Sequence, residues 1–326
     1  GNGAEYDSTG SAATNGTANT GSGGGGGARD NVTPSGNGSD GVVVIKYEKG
    51  SLAEPTFTGS TPEDLSDETY YIYKWIADGS IIWSGSSPAF SNTYSAAFDD
   101  TTDKMYDTRT GVPWARGTGA FTVSFWAKIA SATTGGAAMV VFRSNSAYTD
   151  GFTFYMGDSG DYTTTNGFWC SVDTGNTGWY GGGEWTTDTW HHIAFTRSGS
   201  TLTTYVDGSS IGTQVVGSGS VDGGTGYGLN IGQDPQFAAG YLDGNIDEVA
   251  FFTTALSSAQ ITNIYKGEES GGSGGTDGTP GDLSGWGSGL TAWYRMGDDT
   301  SITTDSEGSY DLTNSGAATD EDVPGS

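Results

Sequence analysis

The sequence predicts an all-β protein: a two-sheet antiparallel jelly-roll sandwich with one short helix, a Gly-rich N-terminal segment and a C-terminal docking strand segment. Three observations predict it. Short runs of β-branched and aromatic residues recur along the chain, separated by turns of Gly, Asp, Asn and Ser. Helical periodicity is confined to one stretch. Aromatic residues make up 12% of the 326 residues and include ten Trp, enough for a sizeable core.

The elements follow in chain order. Residues 1–40 contain twelve Gly, and most of the rest are Ser, Thr, Asn and Asp. Such a stretch buries too little apolar surface to offset its ordering entropy, so it reads as a flexible stem, or else as a packed polyglycine array. Gly41 to Glu48 (GVVVIKYE) is β-branched and reads as a buried strand. Thr69 to Ile76 and Ser80 to Ser84 are two more strands, with Asp78-Gly79 as a hairpin signal between them. Phe121 to Ala130 alternates apolar and polar residues. Further strands are expected at Ala137–Arg143, Gly151–Met156, Phe168–Val172, Trp190–Arg197, Thr201–Val206 and Ile246–Phe252. Ser257 can cap a helix over 258–266, with Ile261, Ile264 and Tyr265 on one face and Gly267 as its stop. Residues 268–289 form a Gly/Ser linker, and Leu290 to Met296 opens a strand segment that runs to residue 326. The domains are thus a stem at 1–40, a small β connector at 41–90, the jelly roll at 91–267, the linker, and the segment 290–326. That segment is too small to be a domain, so it must dock, either in cis on its own sandwich or in trans on a neighbour's open edge.

Charge excludes several classes. Lys and Arg number 12 against 39 Asp and Glu, a formal charge of −27, which opposes binding to nucleic acid or to anionic membranes. No apolar run is long enough to span a bilayer as a helix. The chain begins Gly-Asn-Gly without Met or a signal peptide, so its start is expected to lie upstream. One cysteine, Cys170, excludes an intrachain disulfide, and it reads as a small core residue. His191 and His192 are adjacent on a strand, so one is expected in the interior and the other at the surface. Asp247 and Glu248 are likewise consecutive and expected on opposite faces. No Glu-x-Asp-x-Glu string of the kind that aligns two carboxylates for glycoside hydrolysis occurs. The expectation is that the protein is not an enzyme.

Four stretches carry a family resemblance. They are Tyr94 to Asp100 (YSAAFDD), Phe121 to Lys128 (FTVSFWAK), Trp190 to Arg197 (WHHIAFTR) with Leu202 to Gly208, and Gly244 to Phe252 (GNIDEVAFF) with Ala255-Leu-Ser257. In this order they resemble the laminin G-like branch of the concanavalin A-like lectin/glucanase jelly rolls, over residues 91–267. The Gly-rich tract ending in Ser39 to Tyr47 (SDGVVVIKY) is similar to segments of marine bacteriophage tail-fibre and virion proteins. Gly289 to Asp298 looks like the opening strand of a laminin G-like module, here placed after it.

The resemblance directs attention to two sites. Pentraxins share this sandwich and bind Ca²⁺, and Leu229 to Asp234 (LNIGQD) resembles one of their calcium elements. Possible calcium ligands are therefore Asp150, Gln233, Asp234 and Asp243. Trp179, Tyr180 and Trp185 lie in the Gly-rich stretch 175–190, which reads as a loop able to present rings to a glycan. The expected function is a non-enzymatic structural and adhesive protein of a bacteriophage virion, in a tail fibre or surface appendage. It would be extracellular or on the virion surface, with a jelly roll exposed for a glycan or receptor. Expected partners are further copies of itself, as a trimer or filament, other virion proteins and a cell-surface glycan. The alternatives are a subunit of an extracellular filament assembled by strand exchange and, more remotely, a glycan-degrading enzyme.

Overall fold

A computed structural model describes residues 42–48, 56–67, 69–76, 79–82, 90–109, 114–130, 137–143, 151–156, 168–172, 178–181, 186–216, 219–222, 228–235, 241–268, 275–287, 289–298 and 301–325. The segment 1–40 lies outside these residues. The chain divides into two compact units, Gly1–Phe90 and Ser91–Ser326.

The first unit holds β1 (Val43–Glu48), β2 (Thr56–Gly59), β3 (Glu63–Asp64), β4 (Tyr70–Trp75) and β5 (Gly79–Ile82). They form two antiparallel sheets, β1-β4-β3 and β2-β5. The hairpin expected between β4 and β5 is not made: β5 pairs with β2, while β4 lies between β1 and β3. Aromatic packing accounts for this. The Phe57 ring of β2 meets Tyr73 at 4.9 Å and Trp75 at 5.5 Å between centroids, both edge-on, which buries the two β4 rings. The strand at 43–48, expected to be buried, leaves Val43 and Val44 more than half exposed.

The second unit is the sandwich. Its strands are β6 (Ser95–Asp99), β7 (Lys104–Asp107), β8 (Phe121–Ile129), β9 (Ala137–Arg143), β10 (Gly151–Met156), β11 (Phe168–Val172), β12 (Gly178–Gly181), β13 (His191–Ser198), β14 (Thr201–Val206), β15 (Ser209–Val215), β16 (Gly228–Ile231) and β17 (Asp243–Phe252). Helix α1 (Ser258–Tyr265) follows, then β18 (Leu290–Tyr294), β19 (Thr313–Ser315) and β20 (Ala318–Asp320). One sheet runs β12-β11-β10-β9-β16-β7-β19, and the other runs β15-β14-β13-β8-β17-β6-β20, with β18 pairing alongside β17. Every described pair is antiparallel, and non-sequential neighbours such as β8 beside β17 make this a jelly roll rather than a meander.

The period-2 pattern explains the core. Val123, Phe125 and Ala127 of β8, beside Ile193 and Phe195 of β13, face Phe152 and Phe154 of β10, all within one buried cluster. The Phe125 and Phe154 rings meet edge-on at 5.4 Å, and Phe154 stacks with Phe195 at 6.1 Å. Burying each such ring contributes on the order of 2–3 kcal/mol.

Helix α1 begins where the sequence places it. Ser257 Oγ accepts from the Gln260 amide, and Gln260 Oε1 accepts from the Ser257 amide at 2.9 Å, a reciprocal capping box. The helix lies on the outer face of the eight-stranded sheet, with Tyr265 stacked on Trp126 at 5.9 Å. This is why β8 is buried on both faces despite its alternating sequence.

The C-terminal segment pairs with the sandwich of its own chain. Its strand β18 runs beside β17, while β19 adds to β7 and β20 adds to β6, so it supplies an edge to each sheet. Tyr294, Met296, Leu312 and Ala317 join the same buried cluster as the β8 residues. Asp322 then accepts from Lys128 Nζ at 2.5 Å and from Trp190 Nε1 at 2.8 Å.

Candidate functional site

The seven-stranded sheet carries a registered row of polar residues on its outer side. Its inward positions are apolar, with Met105, Leu229, Val140, Phe152, Cys170 and Val172 all in the core. The alternate positions form one registered row across the strands. Thr313 stands opposite Tyr106, Tyr106 opposite Asn230, Asn230 opposite Val141, Val141 opposite Thr153, and Thr153 opposite Ser171. Opposed residues of an antiparallel pair share a face, so these six lie together on the outer side of the sheet. Exposure grades along the row: Val141, Thr153, Asn230 and Ser171 are buried, Tyr106 is half-buried and Thr313 is exposed.

A second registered row lies two residues along the same strands. Tyr155 stands opposite Trp169, and Trp169 opposite Tyr180. Tyr155 is half-buried. The outer face thus sets a row of hydroxyl and amide groups beside the half-buried Tyr155. Nearly all of these polar groups are uncharged, and Lys104, which lies 5.4 Å from the Tyr106 ring centroid, adds a cation at the open end.

The aromatic positions read from sequence fall into three places. Residues 178–181 form strand β12 rather than a loop, because they pair with β11 over Phe168 to Ser171. Tyr180 lies in the outer aromatic row, whereas Trp179 stands at the register of Cys170, a core position. Trp185 lies outside the described residues. Sequence reasoning missed Thr153, Tyr155, Trp169, Ser171 and Asn230. The alternation Phe152-Thr-Phe-Tyr155 could have found the first two, since its Phe residues face inward.

The calcium positions are split likewise. Asp150 lies outside the described residues. Gln233 and Asp234 are both buried at the end of β16, and Asp243 is half-buried at the start of β17. Gln233 Oε1 is buried with no hydrogen-bond donor among the described residues. A buried amide oxygen without a donor is the kind of hard ligand Ca²⁺ takes. Among the described residues, no group of three or more His, Cys, Asp or Glu is clustered so as to hold a metal ion.

The remaining reactive residues are structural in their surroundings. His192 is fully buried and its Nε2 lies 2.8 Å from Ser124 Oγ, but Ser124 is 1% exposed and out of reach of a substrate. Burial pushes the His192 pKa down to about 4. His191 Nδ1 lies 2.8 Å from Asp207 Oδ2, nearer the surface. Burial pushes the Cys170 thiol up, so it stays protonated. Asp247 and Glu248 depart from the expected opposition. Glu248 has φ +52° at a bulge, which breaks the pleat and leaves both carboxylates buried at one joint.

Comparison with known proteins extends this picture. The profile of a family described as the concanavalin A-like lectin/glucanases superfamily matches residues 99–262, half of the chain. Among solved structures, a candidate carbohydrate-binding protein from Bacteroides ovatus ATCC 8483 superposes with TM-score 0.54 at 12% identity, covering 87% of this chain and 93% of that one. A heptameric SAP-like pentraxin from Limulus polyphemus gives TM-score 0.39 at 18% identity, over 53% of this chain and 82% of its own. The CBM40 module of the Ruminococcus gnavus IT-sialidase, bound to α2,3-sialyllactose, gives 0.41 at 13% identity, over 54% and 99%. No curated protein matches the sequence.

Proposed function

Because the chain belongs to the concanavalin A-like lectin/glucanase superfamily, we propose that it is a non-enzymatic carbohydrate-binding protein that takes a glycan on the outer face of its seven-stranded sheet. The observation that carries this reading is the pairing of two registered rows. The accessible members are Tyr106 and Thr313 in the first row, which offer hydroxyls to a sugar, and the half-buried Tyr155 in the second, which offers a ring to a sugar face. The description of the Bacteroides ovatus protein supports the ligand class. A glycan array with the purified protein tests it. Binding to a defined set of glycans is expected, lost in Tyr106→Ala combined with Tyr155→Ala; an array without a signal would refute it.

The broader role is adhesion, with the sandwich displayed on a bacteriophage tail fibre or surface appendage as part of a homo-oligomer. The support is the Gly-rich tract leading into Ser39 to Tyr47 and the strongly acidic character of the chain. Calcium is a further part of the reading. Gln233 and Asp234 would hold the ion, the orphan Gln233 Oε1 being the supporting atom. Millimolar Ca²⁺ should raise the melting temperature, and Gln233→Ala should abolish the rise; no shift in the unmodified protein would exclude a calcium role.

A further inference from the structure

The outer edge of β17 changes partner midway. Asp243 to Ile246 pair with β6, and Val249 to Phe252 pair with β18. The bulge between Asp247 and Ala250 falls at that change, with Glu248 at φ +52°. Around it the two ends of the unit meet. Asn92 Nδ2 donates to Asp247 Oδ2 at 3.0 Å, and both oxygens of Asp298 accept from the Thr93 amide, at 2.8 and 3.0 Å. Trp293 Nε1 donates to Glu248 Oε2 at 2.5 Å. Arg295 donates to the Ser91 carbonyl, and it lies 3.7 Å from Glu248 Oε1 and 3.7 Å from Asp298 Oδ2.

The charges at this joint do not balance. Among the described residues, three carboxylates, Asp247, Glu248 and Asp298, face one guanidinium, Arg295, and the side chains of Glu248 and Asp298 are only 3% and 4% exposed. From β8, the ladder places the neutral Trp126 opposite Asp247. Full ionisation would leave a net charge of −2 out of water, which is costly. Asp247 is the most buried of the three, and burial together with Glu248 raises its pKa well above the ordinary carboxylate range. Asp247 and Glu248 are held by the β17–β8 ladder, whereas Asp298 and Arg295 belong to the C-terminal segment. Repulsion is therefore relieved most readily by movement of that segment.

We propose that the Asp247–Glu248 bulge is a proton-operated latch on the C-terminal segment, closed while Asp247 holds its proton and loosened when Asp247 loses it. The sign follows from linkage. A carboxyl whose folded-state pKa is raised contributes stability at low pH, and that contribution disappears as pH rises through the raised pKa. The segment freed is the one that supplies an edge strand to each sheet, so opening would expose the edges of β6, β7 and β17.

Hydrogen-exchange protection factors in the full chain, from pH 5 to pH 9, test the latch. Protection over 290–296 is expected to fall at least tenfold relative to β13 as pH rises. Asp247→Asn should remove the pH dependence and keep protection high. Asp298→Asn, which removes the repelling partner from the segment, should flatten it too, and serves if Asp247→Asn does not fold. A parallel change in 290–296 and β13, or an undiminished pH dependence in a folded variant, would overturn the proposal.

Discussion

His192 shows how far a single residue can set the acid response of this sandwich. It is buried between Trp126 and Tyr265, with ring centroids at 5.2 and 6.2 Å, and bonded to Ser124. Its pKa falls to about 4 in the folded state, against an ordinary 6.5. A depressed histidine pKa means that the unfolded chain takes up the proton first as pH falls. Stability is therefore lost from pH 6.5 down to about 4 and levels off below, a total of about 3 kcal/mol. Urea unfolding of His192→Gln should show that slope removed between pH 6.5 and 5. Asp247 acts with the opposite sign, so its stabilisation at low pH should become visible in the same variant. The burial of one of the two histidines was legible from adjacency on a strand. The convergence of Asp247 and Glu248 was not, because a positive φ at a glutamate leaves no trace in the residue pattern.

At the scale of elements, strands with strong alternation were legible and strands without it were not. Phe121 to Ile129 and His191 to Ser198 lie where their apolar residues place them. Strand β12, four residues with a glycine at each end, reads as loop, and only its pairing with β11 makes it a strand. The aromatic row was hidden for the same reason: register across strands is a tertiary property. The C-terminal strand β18 docks beside β17 with Ala292 and Tyr294 in the core. Trp293→Phe keeps most of the packing but leaves Glu248 Oε2 without its indole donor, and should cost about 1–3 kcal/mol in thermal unfolding. Gly228 begins β16 at φ +67°, and an added Cβ would lie 2.0 Å from the Asp107 carbonyl oxygen. Gly228→Ala should therefore destabilise by more than about 1 kcal/mol, read as a lower denaturation midpoint, by forcing apart β16 and β7.

For the molecule as a whole, the composition finds its use in the architecture. Most described glycines with positive φ sit at turns and strand ends, with Gly212 at the bulge inside β15, and the C-terminal strands close one side of the sandwich. The high negative charge sits poorly with a polyanionic ligand, and the accessible Tyr106 and Thr313 of the outer row suit uncharged sugar hydroxyls instead. The jelly-roll sandwich with its short helix was legible in the sequence; the proposed binding face was not, since its residues are scattered over strands from β7 to β19. The most direct measurement is calorimetric titration of an array-identified glycan into the protein, its Tyr155→Ala and Tyr106→Ala variants, and a control, Thr201→Ala, on the other sheet. The account requires the row variants to bind at least tenfold more weakly, about 1.4 kcal/mol, with the control unchanged. Equal affinity in all four proteins would contradict it.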